Sequence, residues 1–67
     1  MVKYFVSRIA DGKPYVAWSD RSTRFVPAHD RLRVTYYGSY EAAKARRDKL
    51  RRTFPGIAED LYVDSTI

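Results

Sequence analysis

The sequence predicts an α+β fold, a small antiparallel sheet of three to five strands packed on one α-helix, in the order β-β-(β)-β-α-β. Three observations carry that prediction. One long amphipathic segment has its own start and stop signals, two β-rich runs are joined by Asp11-Gly12, and a later run alternates apolar with polar residues. A chain of 67 residues makes a single domain, 1–67, and at this size only about 60% of the unfolded surface is buried, so the core is marginal.

The helix is expected within Tyr37 to Gly56, YGSYEAAKARRDKLRRTFPG. Ser39 suits the N-cap, because its hydroxyl can accept from a free first-turn NH, and Glu41 sits where the helix dipole favours an acid. Arg51 and Arg52 occupy the last turn, and Pro55-Gly56 ends the helix by pushing Phe54 out of the helical region. On a helical wheel Tyr40, Ala43, Leu50 and Phe54 form one narrow apolar arc that should face a core. Arg47 falls inside that arc, with its methylenes expected along apolar surface and its guanidinium reaching water. The other helix cations are spread around the remaining faces.

VKYFVSRI and PYVAWS, on either side of ADGK, read as a β-hairpin closed by a two-residue type I′ turn at Asp11-Gly12. That turn sets a register in which Arg8 faces Tyr15, Ser7 faces Val16, Val6 faces Ala17 and Phe5 faces Trp18. Pro14 then falls at a non-hydrogen-bonded pair, where its missing NH costs nothing. Alternation sorts the side chains. Phe5, Ser7, Ile9, Pro14, Val16 and Trp18 should lie under the helix, and Tyr4, Val6, Arg8, Tyr15, Ala17 and Ser19 on an uncovered face.

In the centre, Asp20, Ser22 and Thr23 suggest a turn, Arg24-Phe25-Val26 a short strand, and Pro27 to Asp30 a second turn. Residues 31–37, RLRVTYY, alternate cleanly and are expected to form a strand. With Leu32 and Val34 toward the helix, Arg31, Arg33 and Tyr37 join the uncovered face. Beyond the helix, Ile57, Leu61 and Val63 suggest a turn and a short strand at 61–63, followed by a frayed end.

The net charge is +5, and it is unevenly placed: residues 1–53 hold all thirteen cations against five acids, a net of +8, while residues 54–67 carry Glu59, Asp60 and Asp64 alone. A basic body attracts polyanions, nucleic acid first and acidic protein surfaces second. There is no cysteine, hence no disulfide framework or thiolate metal site, which fits a reducing cytoplasm. No run approaches the ~18 apolar residues of a membrane span, and the N-terminal residues lack the apolar centre of a secretory signal. A cytoplasmic location without membrane contact is therefore expected. His29 lies in a predicted turn with no second metal-ligand residue at a suitable spacing, and Gly12, Gly38 and Gly56 form no phosphate-cradling loop. Neither an enzyme nor a cofactor is expected.

Binding is expected on the uncovered sheet face, through Tyr4, Arg8, Tyr15, Arg31, Arg33 and Tyr37, with phosphate contacts from Lys44, Arg46 and Lys49. Rings can stack on bases or on a partner's side chains, and guanidinium groups fork onto phosphate or carboxylate. The plain structural alternative is an antiparallel sheet that leaves one face wet.

The segment RVTYYGSYEAAKARRDKL carries an aromatic-x-Ser-x-Glu-Ala pattern at Tyr37, Ser39, Glu41 and Ala42. It resembles the end of the sheet and the helix of ethylene-response-factor and integrase arm-type DNA-binding domains, and covers about a quarter of the chain. The resemblance implies a sheet laid in the major groove with the helix bracing it from behind, and it implicates Arg8, Tyr15, Arg31 and Arg33. Residues 20–30 and the acidic strand after the helix depart from that pattern. In style the chain also resembles small phage and prophage proteins, many of which bind and inhibit a host protein. Two functions follow as expectations. One is a non-enzymatic nucleic-acid-binding module, with DNA favoured over RNA. The other is a phage-type accessory or inhibitor protein that docks an acidic host protein surface through the same tyrosines and arginines. Monomer and homodimer stay open.

Overall fold

A computed structural model of the chain describes residues 2–8 and 16–66. It contains β1 (Tyr4–Arg8), β2 (Val16–Ser19), β3 (Arg24–Pro27), α1 (Tyr40–Thr53), a 3-10 helix (Pro55–Asp60) and β4 (Leu61–Ser65). The strands form one antiparallel sheet in the order β3-β2-β1-β4. The α+β class and the order of elements are those the sequence predicts. The short strand near 24–26 forms, and the final strand runs to Ser65 rather than ending at Val63.

The helix signals act as their chemistry dictates. Ser39 is extended, and its Oγ accepts from the Ala42 NH at 3.2 Å. At the other end the Phe54 NH reaches the Leu50 carbonyl at 2.8 Å before Pro55 begins the 3-10 turn. Ala43 and Leu50 are buried on the inner face. Arg47 does lie on that face, with its side chain only 17% exposed and its Nη2 3.2 Å from Asp48 Oδ1.

Two apolar clusters form, one on each side of the sheet. Under the helix, Val6, Trp18, Leu50 and Leu61 pack together with Phe25, Tyr37 and Ile57 around them. On the opposite side, Ala17, Val26 and Val34 form a second cluster, joined by Phe5, Ala28 and Tyr36. The segment 28–36 is thus the second cover of the sheet. β2 is consequently buried from Ala17 to Ser19 without alternation, as a strand covered on both faces must be.

This second cover corrects the expected uncovered face. The β1–β2 pairs are Ser7 with Ala17 and Arg8 with Val16, one residue displaced from the register expected of a two-residue turn at Asp11-Gly12. The turn itself, with Pro14 and Tyr15, lies outside the described residues. A one-residue displacement reverses a strand's faces. Tyr4, Val6 and Arg8 therefore share the helix side with Trp18, while Phe5 and Ser7 lie with Ala17 on the other. Trp18 keeps its expected place under the helix, and Phe5 does not.

The expected strand at 31–37 is also corrected. The NH of Arg31 turns back to the His29 carbonyl, and those of Arg33 and Val34 both reach the Asp30 carbonyl. Donors spent in local turns cannot build a ladder. Only the end of the segment makes backbone hydrogen bonds to the strands: Thr35 donates to Trp18 O at 3.0 Å, and Tyr37 exchanges two backbone bonds with Tyr4 at 2.7 and 2.9 Å. Val34 packs on the side away from the helix, and Leu32 is 90% exposed, so neither faces the helix.

Candidate functional site

The nominated side chains are not gathered on one surface. Tyr4 is half-buried on the helix side, edge-on to Tyr40 with ring centroids 6.0 Å apart. Arg8, also on that side, is half-buried, and its Nε is enclosed without a hydrogen-bond partner among the described residues. Arg33 is exposed and lies 3.5 Å from Asp30. Arg31, Lys44 and Lys49 are exposed and have no carboxylate partner among the described residues. Tyr15 lies outside the described residues. A shallow depression of about 250 Å³ does bring Tyr37, Arg46 and Lys49 together, beside Ala42 and Ala45.

Tyr37 and Arg46 belong to a polar knot centred on Asp20. Asp20 Oδ1 accepts the Trp18 indole NH at 2.6 Å, and its Oδ2 accepts the Tyr37 hydroxyl at 3.2 Å. Arg46 Nη2 stands 3.6 Å from the same Oδ2. The Asp20 NH donates to Thr35 Oγ1 at 2.8 Å, so β2, the segment before the helix and the helix itself meet at one residue. Burial and the neighbouring Asp20 charge raise the Tyr37 phenol above its ordinary value near 10, with Arg46 opposing them. These contacts hold the fold together, and they leave Arg46 and Tyr37 less to offer a ligand.

The larger concavity is on the side away from the helix. A cleft of about 560 Å³ is lined by Lys3, Phe5, Ala28, His29, Arg31, Tyr36, Ser65 and Thr66. Strand order explains its composition. β1 and β4 run antiparallel, and Lys3 and Thr66 extend that pairing, with Thr66 NH to Lys3 O at 3.0 Å and Lys3 NH to Thr66 Oγ1 at 3.1 Å. The turns of 28–36 supply the facing wall, stacking Tyr36 edge-to-face on Phe5 with centroids 5.8 Å apart. Lys3 and Arg31 are exposed, with no carboxylate partner among the described residues. Asp64, the strand partner of Phe5, accepts its neighbour's NH from Ser65 through Oδ1 at 2.9 Å.

Of this cleft, only Arg31 is predicted from sequence. Phe5 was missed through the register, Tyr36 through the strand expected at 31–37, and His29 because a lone turn histidine has no signature. Asp20 carried a legible signal: a buried indole NH needs a partner, and an aspartate follows Trp18 by two residues. Among the described residues no group of three or more His, Asp or Glu side chains is placed to hold a metal ion, and no helix is long and apolar enough to cross a membrane. No protein-family model, curated protein or solved structure matches the chain.

Proposed function

We propose that the chain is a small non-enzymatic nucleic-acid-binding module whose contacts come from loop and helix cations rather than from a bare sheet face. The observation that carries this reading is the set of exposed cations with no carboxylate partner among the described residues: Lys3 and Arg31 at the cleft, Arg21 and Arg24 at the β2–β3 end, and Lys44, Lys49 and Arg52 on the outer side of α1. Cations left unpaired over a surface this small repel one another, and a polyanion relieves that repulsion while releasing its own counterions. DNA and RNA both supply such a polyanion.

The test is a gel-shift titration with random single-stranded and duplex oligonucleotides at two salt concentrations. About five phosphate contacts predict a loss of affinity on the order of 10²-fold between 50 and 200 mM salt, log-linear in salt. Absence of any shift at the lower salt removes the reading. A second reading, an accessory or inhibitor protein that docks an acidic protein surface, is favoured by one observation: Leu32 projects almost fully exposed between Arg31 and Arg33. Such a protein ignores random nucleic acid at physiological ionic strength.

A further inference from the structure

We infer that the cleft between the β1–β4 end and the 28–36 segment receives an unstacked base of a single-stranded nucleic acid, with the adjoining phosphates on Lys3 and Arg31. The inference rests on the nucleic-acid reading above and adds two things to it, the strand state of the ligand and the place of its base.

The cleft combines what a base and its phosphates require. Its volume of about 560 Å³ lies within the roughly 300–1,000 Å³ of sites that enclose small ligands. Phe5 and Tyr36 supply aromatic surface at its wall. Both rings also pack against the Ala17, Val26 and Val34 cluster, so little side-chain freedom is lost when a ligand arrives. Base-on-ring stacking tolerates any sequence, because every base presents a π-face. The polar lining suits the edge of a base: His29 and the hydroxyls of Ser65 and Thr66 border the same space. Thr66 Oγ1 already accepts from the Lys3 NH, which leaves its hydroxyl hydrogen available to donate. Lys3 and Arg31 supply charge, and neither forms an ion pair with a carboxylate among the described residues.

Concavity decides the strand state. In a duplex each base is stacked on both faces and paired along its edge, so a wall of rings set inside a cleft is reached only by a base that has left the stack. The depression beside Tyr37, Arg46 and Lys49 is the weaker site: it is under half the volume, and two of those three side chains are committed to Asp20.

Fluorescence anisotropy of the whole chain at one low salt concentration tests this with three labelled probes carrying equal numbers of phosphates: an oligothymidylate, an abasic deoxyribose-phosphate oligomer and a duplex. The expected result is at least about tenfold tighter binding of the oligothymidylate than of the abasic oligomer, and tighter binding of single strand than of duplex. Tyr36→Leu, which keeps apolar volume in the second cluster, brings the oligothymidylate down to the abasic level and leaves abasic binding unchanged. Arg31→Ala weakens all three probes. Equal binding of the base-bearing and abasic strands overturns the inference, as does preference for duplex, and either leaves the nucleic-acid reading standing. Failure of all three probes to bind removes both.

Discussion

Asp20→Ala is the most informative single change, because one carboxylate serves groups from three parts of the chain. Its loss strips the indole NH of Trp18, a residue only 4% exposed, of its acceptor at 2.6 Å. Hydrogen bonds to a charged group contribute about 1.5–3 kcal/mol, and an orphaned buried donor costs a similar amount. The Tyr37 bond at 3.2 Å and the Arg46 pair at 3.6 Å add little, since the Asp20 side chain is 39% exposed and such pairs are screened. The total is about 2 kcal/mol, against about 3–10 kcal/mol for a whole domain of this length. In a domain this small that loss lowers Tm by roughly 8–16 °C. Trp18 is the sole tryptophan, so its fluorescence during thermal and urea unfolding reads the site directly. Asp20→Asn keeps a carbonyl acceptor for the indole and should recover more than half of the loss. A change below about 0.5 kcal/mol in Asp20→Ala refutes the reasoning, and equal losses in the two variants show that charge, not the acceptor, matters.

Arg51→Ala should cost about 2 kcal/mol in urea titrations, because Arg51 Nε and Nη2 each bond a backbone carbonyl at 3.0 Å, those of Ala58 and Leu61, and so tie the end of α1 to β4. Arg51→Lys should recover little of this, since an ammonium lacks the planar fork; full recovery would mean that charge alone suffices there. Thr23 holds φ at 53°, a left-handed conformation unfavourable for a β-branched residue, so Thr23→Asn should raise stability by about 0.5–1 kcal/mol in the same titration. A destabilised Thr23→Asn would contradict that account. The raised phenol of Tyr37 implies linkage at alkaline pH. The unfolded chain loses that proton first, so the contribution is fully present below about pH 10 and falls as pH rises through the folded value. Stability measured from pH 9 to 11 should fall less steeply in Tyr37→Phe than in the parent, and identical slopes would contradict the linkage.

Elements with two independent signals were legible in the chain. The helix had a cap, an arc and a proline stop, and it forms over Tyr40–Thr53 with Arg47 half-buried on the inner face. Side assignment was less legible, for a physical reason. In β1 both parities carry a ring and a partner of mixed character, Tyr4 with Val6 and Phe5 with Ser7, and both faces of the sheet are covered, so alternation alone does not say which side meets the helix. RLRVTYY shows how a period of two can mislead. Its alternation is genuine, yet Asp30 captures the NH groups of Arg33 and Val34 in turns, and Val34 and Tyr36 reach apolar surface as a cover rather than as a strand. The cleft was illegible because its lining comes from separated stretches, Lys3 and Phe5, Ala28 to Tyr36, and Ser65 with Thr66.

Tyr4 and Arg8 lie on the helix side of the sheet, and the proposed base site lies in the cleft on the other side, with helix cations adding only phosphate contacts. Backbone amide NMR during titration with oligothymidylate measures this most directly. The predicted result is a cluster of shifted resonances at Lys3, His29, Arg31, Tyr36 and Thr66, with Tyr4 and Arg8 unmoved. Shifts centred on Tyr4, Arg8 and the outer side of α1, with the cleft silent, would contradict it.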